Sequence, residues 1–366
     1  MTRVVLAPDS FKGTITAADA AAALAEGWAS VDATATFVHR PMADGGEGTV
    51  AAFAAAVPGA RRMPVSVDGP AGTTVETSWL WLPASEDVPG GTGVVDLAST
   101  SGIELLQELH PWDADTTGFG QAIAAALDHG VTRLVVGIGS SASTDGGTGM
   151  LTALGARFLD GSGEPVMRGA RGLADIAAVD LSSLRAAPEV RVLTDVTNPL
   201  TGPRGAAAVF GPQKGLTASD VGPVDAALAR LADLLALDPA MPGTGAAGGT
   251  GGALVVWGAT LAPGAAEVAE LIGLADAIRG ADVVITGEGS YDGQSGDGKV
   301  PSFIASIAAT SGVRALLAAG RITADSDTAL FTASASLTDL AGSSDAALAE
   351  PARWLRKAGA ALARAV

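Results

Sequence analysis

The stretch ADVVITGEGSYDGQSGDGKVP, residues 281–301, decides how this chain is read. Its β-branched run (Val283, Val284, Ile285, Thr286) reads as a buried strand that stops at Gly287. A glycine-dense loop follows, carrying Glu288, Asp292, Asp297 and Lys299. Glycines let backbone N–H groups approach an anion, carboxylates can hold a metal, and a lysine can neutralise a phosphate. An α/β ligand site needs all three at the carboxyl end of a strand. A solvated surface turn is the plainer alternative, and the rest of the chain must choose between them.

Working outward, the same order of strand, polar loop and helix recurs, which is the grammar of an α/β fold. Residues 4–7 form a short apolar strand, PDSFKG carries Lys12, and an alanine-rich helix runs to Trp28 from a Thr16/Asp19 capping pair. A strand at 37–38 ends in HRPMADGGEGTV, so Asp44, Gly45, Gly46, Glu47 and Gly48 stand just before a helix over 50–57. The two acids can cap that helix and complement its dipole. The double glycine is unfavourable there unless the backbone must bend or approach something. Residues 63–82 alternate about a DGPAG turn, which predicts an antiparallel hairpin and a domain boundary near residues 64–68.

A helix over 116–129, capped by Thr116, and a strand over 133–136 lead into GIGSSASTDGG. Gly137, Gly139 and Ala142 fit the dinucleotide pattern G-x-G-x-x-A, with Asp160 about twenty residues on, so an NAD-dependent hydroxy-acid dehydrogenase is a competing reading. The polar, glycine-rich continuation is a poor start for a Rossmann helix; its serines, Thr144 and Asp145 suit phosphate and metal better. A strand over 190–193 runs into Asp195 and Asn198 before Pro199, a pair that can hold Mg²⁺ or orient a hydroxyl, or simply form an Asx-turn. Arg204 and Lys214 are the nearby cations. Gly243, Gly245 and Gly248 also spell G-x-G-x-x-G, but after two prolines rather than a strand, which points to a packed or flexible loop. A helix over 303–309, a strand over 314–319 and a closing helix over 344–363, kinked at Pro351, complete the pattern.

Composition narrows the class. The 366 residues are 48% apolar but only 4% aromatic, so alanine-rich helices pack closely on sheet. A net charge of −17 argues against nucleic acid or an acidic membrane as partner. Without cysteine there is no disulfide, thiolate chemistry or cysteine metal site. The opening MTRVVLAPDSFKG holds an apolar run too short for a signal peptide. No apolar stretch reaches about 18 residues, 251–266 coming nearest, so a soluble, cytoplasmic protein is expected.

Five motifs together resemble the bacterial glycerate kinase family of the glyoxylate- and glucarate-pathway type. They are APDSFKG (7–13), PMADGGEGT (41–49), GIGSSASTDGGTGML (137–151), DVTNPLTGPRGAAAVFGPQKG (195–215) and ITGEGSYDGQSGDGKVP (285–301). They span nearly the whole chain in order. Thr144 stands where the family usually has Asn, and Thr194 where it commonly has Cys. The resemblance implies Mg²⁺-assisted phosphoryl transfer from ATP to an alcohol group of D-glycerate, giving 2-phosphoglycerate in preference to 3-phosphoglycerate, by a monomer or homodimer. It also implies two α/β domains with the active site in the cleft between them. One is Rossmann-like and discontinuous, residues 1–66 and 278–366; the other, residues 67–277, has a mixed sheet.

Phosphoryl transfer needs positioning and charge neutralisation more than covalent help. On this reading Asp195 is the base, or a metal ligand, with Lys299 as a second catalytic group. Lys12, Asp44, Gly45, Gly46, Glu47, Asn198 and Lys214 face the substrate. Gly139, Ser140, Ser141, Asp145, Gly146 and Gly147 cradle the nucleotide's phosphates, and Glu288 and Asp292 hold the metal, directly or through water. Gly293, Gly298 and Lys299 match G-x-x-x-x-G-K, though Val300 replaces the Ser or Thr that would ligate Mg²⁺; the family that the chain resembles is not a P-loop fold, which implies that the likeness is a coincidence. A non-catalytic binding module is a third reading, disfavoured by the number of charged loops.

Overall fold

The computed structural model describes residues 1–11, 13–43, 45–46, 48–292 and 300–366. From the amino end come β1 (Arg3–Pro8) and β2 (Thr36–His39). The middle supplies β3 (Arg61–Asp68), β4 (Thr74–Leu82), β5 (Thr92–Asp96), β6 (Arg133–Gly137), β7 (Arg157–Leu159), β8 (Ala178–Asp180), β9 (Glu189–Leu193) and β10 (Thr260–Ala262). The last are β11 (Val283–Tyr291), β12 (Arg314–Ile322) and β13 (Ala333–Ser336). The chain divides into two compact units. The first comprises Met1–Asp44, Ala51–Pro58 and Gly264–Val366; the second comprises Gly45–Val50 and Gly59–Pro263. Strand β3 lies within the second unit, and the segment from Gly264 onward belongs to the first.

In the first unit, five strands pair in parallel in the order β13-β12-β11-β1-β2. Parallel strands covered by helices on both faces need continuous apolar runs. Val4 to Ala7, Val283 to Ile285 and Leu316 to Ala319 supply them, all with no solvent exposure. Thr16 accepts the Asp19 N–H at 3.1 Å and starts the helix Ala17–Ala29. That helix packs against the last one, Pro351–Arg364, through two glycines. A Cβ on Gly27 would lie 2.0 Å from the Arg356 carbonyl oxygen, and one on Gly359 2.3 Å from that of Leu24. Alanine and glycine are thus what let the two helix backbones touch. The closing stretch is two helices, Ser344–Ala349 and Pro351–Arg364, rather than one kinked helix, because Pro351 suits a first helical position.

Strand β11 does not stop at Gly287 as expected; it runs on to Tyr291, paired with β12 from Val283↔Arg314 to Tyr291↔Ile322. Gly287 belongs to the strand because β12 comes so close that a Cβ there would sit 1.9 Å from the Ala318 oxygen.

The second unit holds a six-stranded mixed sheet in the order β10-β9-β6-β5-β4-β3. Strands β5, β6, β9 and β10 are parallel, while β3 and β4 form the expected antiparallel hairpin, joined antiparallel to β5. Strands β7 and β8 make a separate two-stranded ribbon. Phe119, Ile123, Leu134, Val136, Met150, Leu151 and Leu228 are among the fully buried residues of one continuous core. Among the described residues, no helix is long and apolar enough to cross a membrane.

Candidate active site

Each unit gathers polar residues at the carboxyl ends of its parallel strands, where open α/β sheets bind ligands. In the second unit, β6 ends at Gly137 and the next helix, Thr148–Ala153, begins eleven residues later. The fingerprint of Gly137, Gly139 and Ala142 therefore does not turn into a helix, as a dinucleotide site requires. What approaches these glycines is the chain itself. A Cβ on Gly137 would lie 2.6 Å from the Gly45 oxygen and one on Gly139 2.5 Å from Gly46 Cα, and the Gly139 N–H donates to Gly45 O at 3.0 Å. Gly45, at φ +95°, in turn sits on β9, where a Cβ would be 2.3 Å from Leu193 O. The double glycine is needed for a backbone-to-backbone seat.

Asp145 organises the loop beyond. Fully buried, its carboxylate accepts from Thr116 N–H (3.0 Å), Thr116 Oγ1 (2.7 Å), Ser143 Oγ, Gly147 N–H and Gly149 N–H (3.1 Å each). Thr116 is thus not the side-chain cap expected for the helix Thr117–His129; its hydroxyl is drawn away to Asp145 and accepts from Met150 N–H. Gly146 donates its N–H to Gly248 O. The N–H groups of Gly139, Gly146 and Gly147 are all directed at protein acceptors. The atoms on this loop that suit a phosphate are therefore elsewhere: Ser140, held at φ +57°, and the Thr144 hydroxyl, 1% exposed and without a hydrogen-bond partner among the described residues.

Lys214 lies on the short turn Pro212–Lys214, 2% exposed, and donates to Ser141 Oγ at 2.7 Å and Ser143 O at 2.5 Å. Burial pulls its amine down to about 7, against an opposing pull from Asp145. Asp195 follows β9 and is exposed. Asn198 fixes the loop behind it: its Nδ2 donates to Arg204 O at 2.8 Å, and its carbonyl accepts from Gly243 N–H and Gly245 N–H. The glycine run over 243–252 is accordingly a packed loop, with Gly248 so close to the Ser143 carbonyl that a Cβ would be 2.2 Å away.

In the first unit, the strand order reverses between β1 and β11, and the carboxyl ends of those two strands meet where the Asp9 N–H donates to Gly287 O at 2.8 Å. Asp9 is nearly buried there, and Glu288 and Asp292 are half-buried beyond it. A pair of carboxylates completed by water would suit Mg²⁺, an ion that keeps several waters and few carboxylates. Among the described residues, no three acidic or histidine side chains gather as a closed metal cluster. Lys12, Asp44, Glu47 and Lys299 lie outside the described residues, as does the G-x-x-x-x-G-K stretch.

Sequence reasoning passed over three polar groups, two at strand ends and one just before the helix Thr117–His129. Asp96 closes β5, and burial pushes its carboxyl up while the Ser99 hydroxyl and N–H, the Val50 N–H and Arg62 pull it back. Its signal was an acid at the end of a buried strand, much as Asp195 stands just beyond one. Asp115 is raised by burial and by Asp145, and accepts from Thr117 N–H at 2.7 Å. Arg40, just past β2, donates to His39 O and keeps a buried Nε without a partner among the described residues.

A model of the glycerate kinase family matches residues 4–366. A glycerate kinase of Halalkalibacterium halodurans is 38% identical over 88% of this chain and 86% of its own length. Glycerate 2-kinase of Escherichia coli K12 is 40% identical over 84% and 82%. A solved structure described as a glycerate kinase 2 of Salmonella typhimurium LT2 superposes with a TM-score of 0.85 at 37% identity, covering 99% of this chain and 97% of that one. The chain belongs to the glycerate kinase family.

Proposed function

We propose that the protein is an ATP-dependent kinase that phosphorylates D-glycerate, giving 2-phosphoglycerate. The observation that carries this reading is the family match over residues 4–366. The strand-end loops supply the chemistry it calls for. Asp195, exposed just after β9, takes the proton of the glycerate hydroxyl as that oxygen attacks the γ-phosphorus and ADP leaves. Asn198 keeps the Asp195 loop in place through Arg204 and the Gly243–Gly245 turn. Ser140, Ser141 and Thr144 face the phosphates, with Gly45, Gly46, Gly139, Asp145, Gly146 and Gly147 shaping the loop around them. Lys12, Asp44, Glu47 and Lys299 meet glycerate or the transferred phosphate. Glu288 and Asp292 would hold Mg²⁺, which when bound would neutralise charge on the phosphate oxygens.

The test is a coupled ADP assay. ADP is expected only when Mg²⁺, ATP and D-glycerate are all present, and phosphorus NMR of the product identifies the hydroxyl used. Reduction of NAD by glycerate without ADP formation would favour the dehydrogenase instead. Asp195→Asn should lower kcat by roughly 10²–10⁴-fold; a folded variant that keeps more than about a tenth of kcat excludes Asp195 as base.

A further inference from the structure

Lys214 is a buried charged group that this mechanism does not use. Its position is built with care: the helix Ala206–Phe210 ends at Gly211, the turn Pro212–Lys214 follows, and Gly215 at φ +99° closes it with its N–H on Pro212 O. The turn sends the lysine stem inward, and the ammonium ends on Ser141 Oγ and Ser143 O. Among the described residues, no carboxylate lies within ion-pair distance of it. The charged group that acts on it is Asp145, linked through Ser143, whose hydroxyl donates to Asp145 Oδ1. A buried ammonium without a carboxylate partner is unfavourable for folding, so stability alone gives no reason to place one here.

We propose that Lys214 is a positioning residue for the phosphate loop: without touching substrate, it ties down Ser141 and Ser143 and so fixes the backbone from Ser140 to Asp145. Lys214 and Asp145 hold that segment from its two ends, one by donating and the other by accepting. The Thr144 hydroxyl lies between those holds and Ser140 directly precedes the first, so both are aimed by them. The catalytic consequence rests on the kinase reading above; the structural one does not.

The test uses Lys214→Met, which keeps the stem and removes the donor, and Lys214→Gln, which keeps a donor without the charge. Amide hydrogen exchange over residues 140–149 should quicken at least tenfold in Lys214→Met while β5 and the first unit's sheet stay as in the parent. Lys214→Gln should restore part of the protection. In steady-state kinetics KM for ATP should rise about tenfold or more, with KM for glycerate within twofold. Unchanged exchange at 140–149 would overturn the proposal whatever the activity. So would a rise confined to KM for glycerate, which would make Lys214 a substrate contact. Quickened exchange in a protein that makes no ADP from glycerate would leave Lys214 as the loop's anchor and sink the kinase reading alone. If Lys214→Met does not fold, Ser141→Ala carries the same exchange measurement: quickened exchange at 140–149 supports the tie and unchanged exchange overturns it.

Discussion

Burying an amine changes when it holds its proton. In the folded chain Lys214 titrates near 7, whereas an unfolded lysine titrates near 10.4. Between those values the unfolded chain binds the extra proton and the folded one does not, so this residue makes stability rise with pH across that window. Below about 7 both states hold the proton and the full cost of burying the charge remains. Thermal melts at pH 7 and pH 9 should therefore show the parent gaining on Lys214→Met as pH rises; a constant difference would mean the amine is not desolvated. Asp145 makes the opposite case. Five donors converge on its carboxylate, and an amide in its place would turn an NH₂ toward some of them. Asp145→Asn should cost on the order of 2–3 kcal/mol in chemical denaturation, the penalty of leaving buried donors unpaired. The sequence marked both residues as site candidates from their motifs. It could not say that Lys214 and Asp145 face inward, because burial of a charge depends on partners far along the chain.

At the level of elements, the close helix pair of the first unit offers the sharpest case. Alanine in place of a mid-helix glycine ordinarily stabilises a helix by about 1 kcal/mol. At Gly27 the sign should reverse, because the new methyl would meet the Arg356 oxygen and force the helices apart, a loss of roughly 1–3 kcal/mol. A rise in melting temperature for Gly27→Ala would contradict that packing. The strands show what was legible and why. β1, β6, β9 and the start of β11 announce themselves as β-branched apolar runs, since both faces of a parallel strand are covered. The tail of β11 beyond Gly287 does not, because Glu288, Gly289 and Ser290 break the apolar run, while Tyr291 is buried by partners far along the chain such as Phe331. β7, β8, β10 and β13, of three or four residues each, carry too little periodicity to read. The glycine loops were legible as places where backbone comes close, but not as meetings of one loop with another.

Across the whole molecule, neither unit is a continuous piece of chain. The sheet of the first unit takes β1 and β2 from one end and β11 to β13 from the other. A chain cut after Pro263 would keep β1 with only β2 beside it, and a two-stranded remnant without its core is not stable in water. Hydrogen exchange on such a truncated chain should find residues 1–44 unprotected; protection there would mean the first unit folds without its carboxyl half. The same topology sets a timetable on the ribosome. β1 ends at Pro8, but its neighbour β11 is complete only at Tyr291. At about 5–20 residues per second, RVVLAP must wait about 15–60 s before its partner exists. For that interval an apolar strand with an unpaired edge is left to chaperones, which makes the speed of translation and not only final stability a determinant of how much protein is recovered.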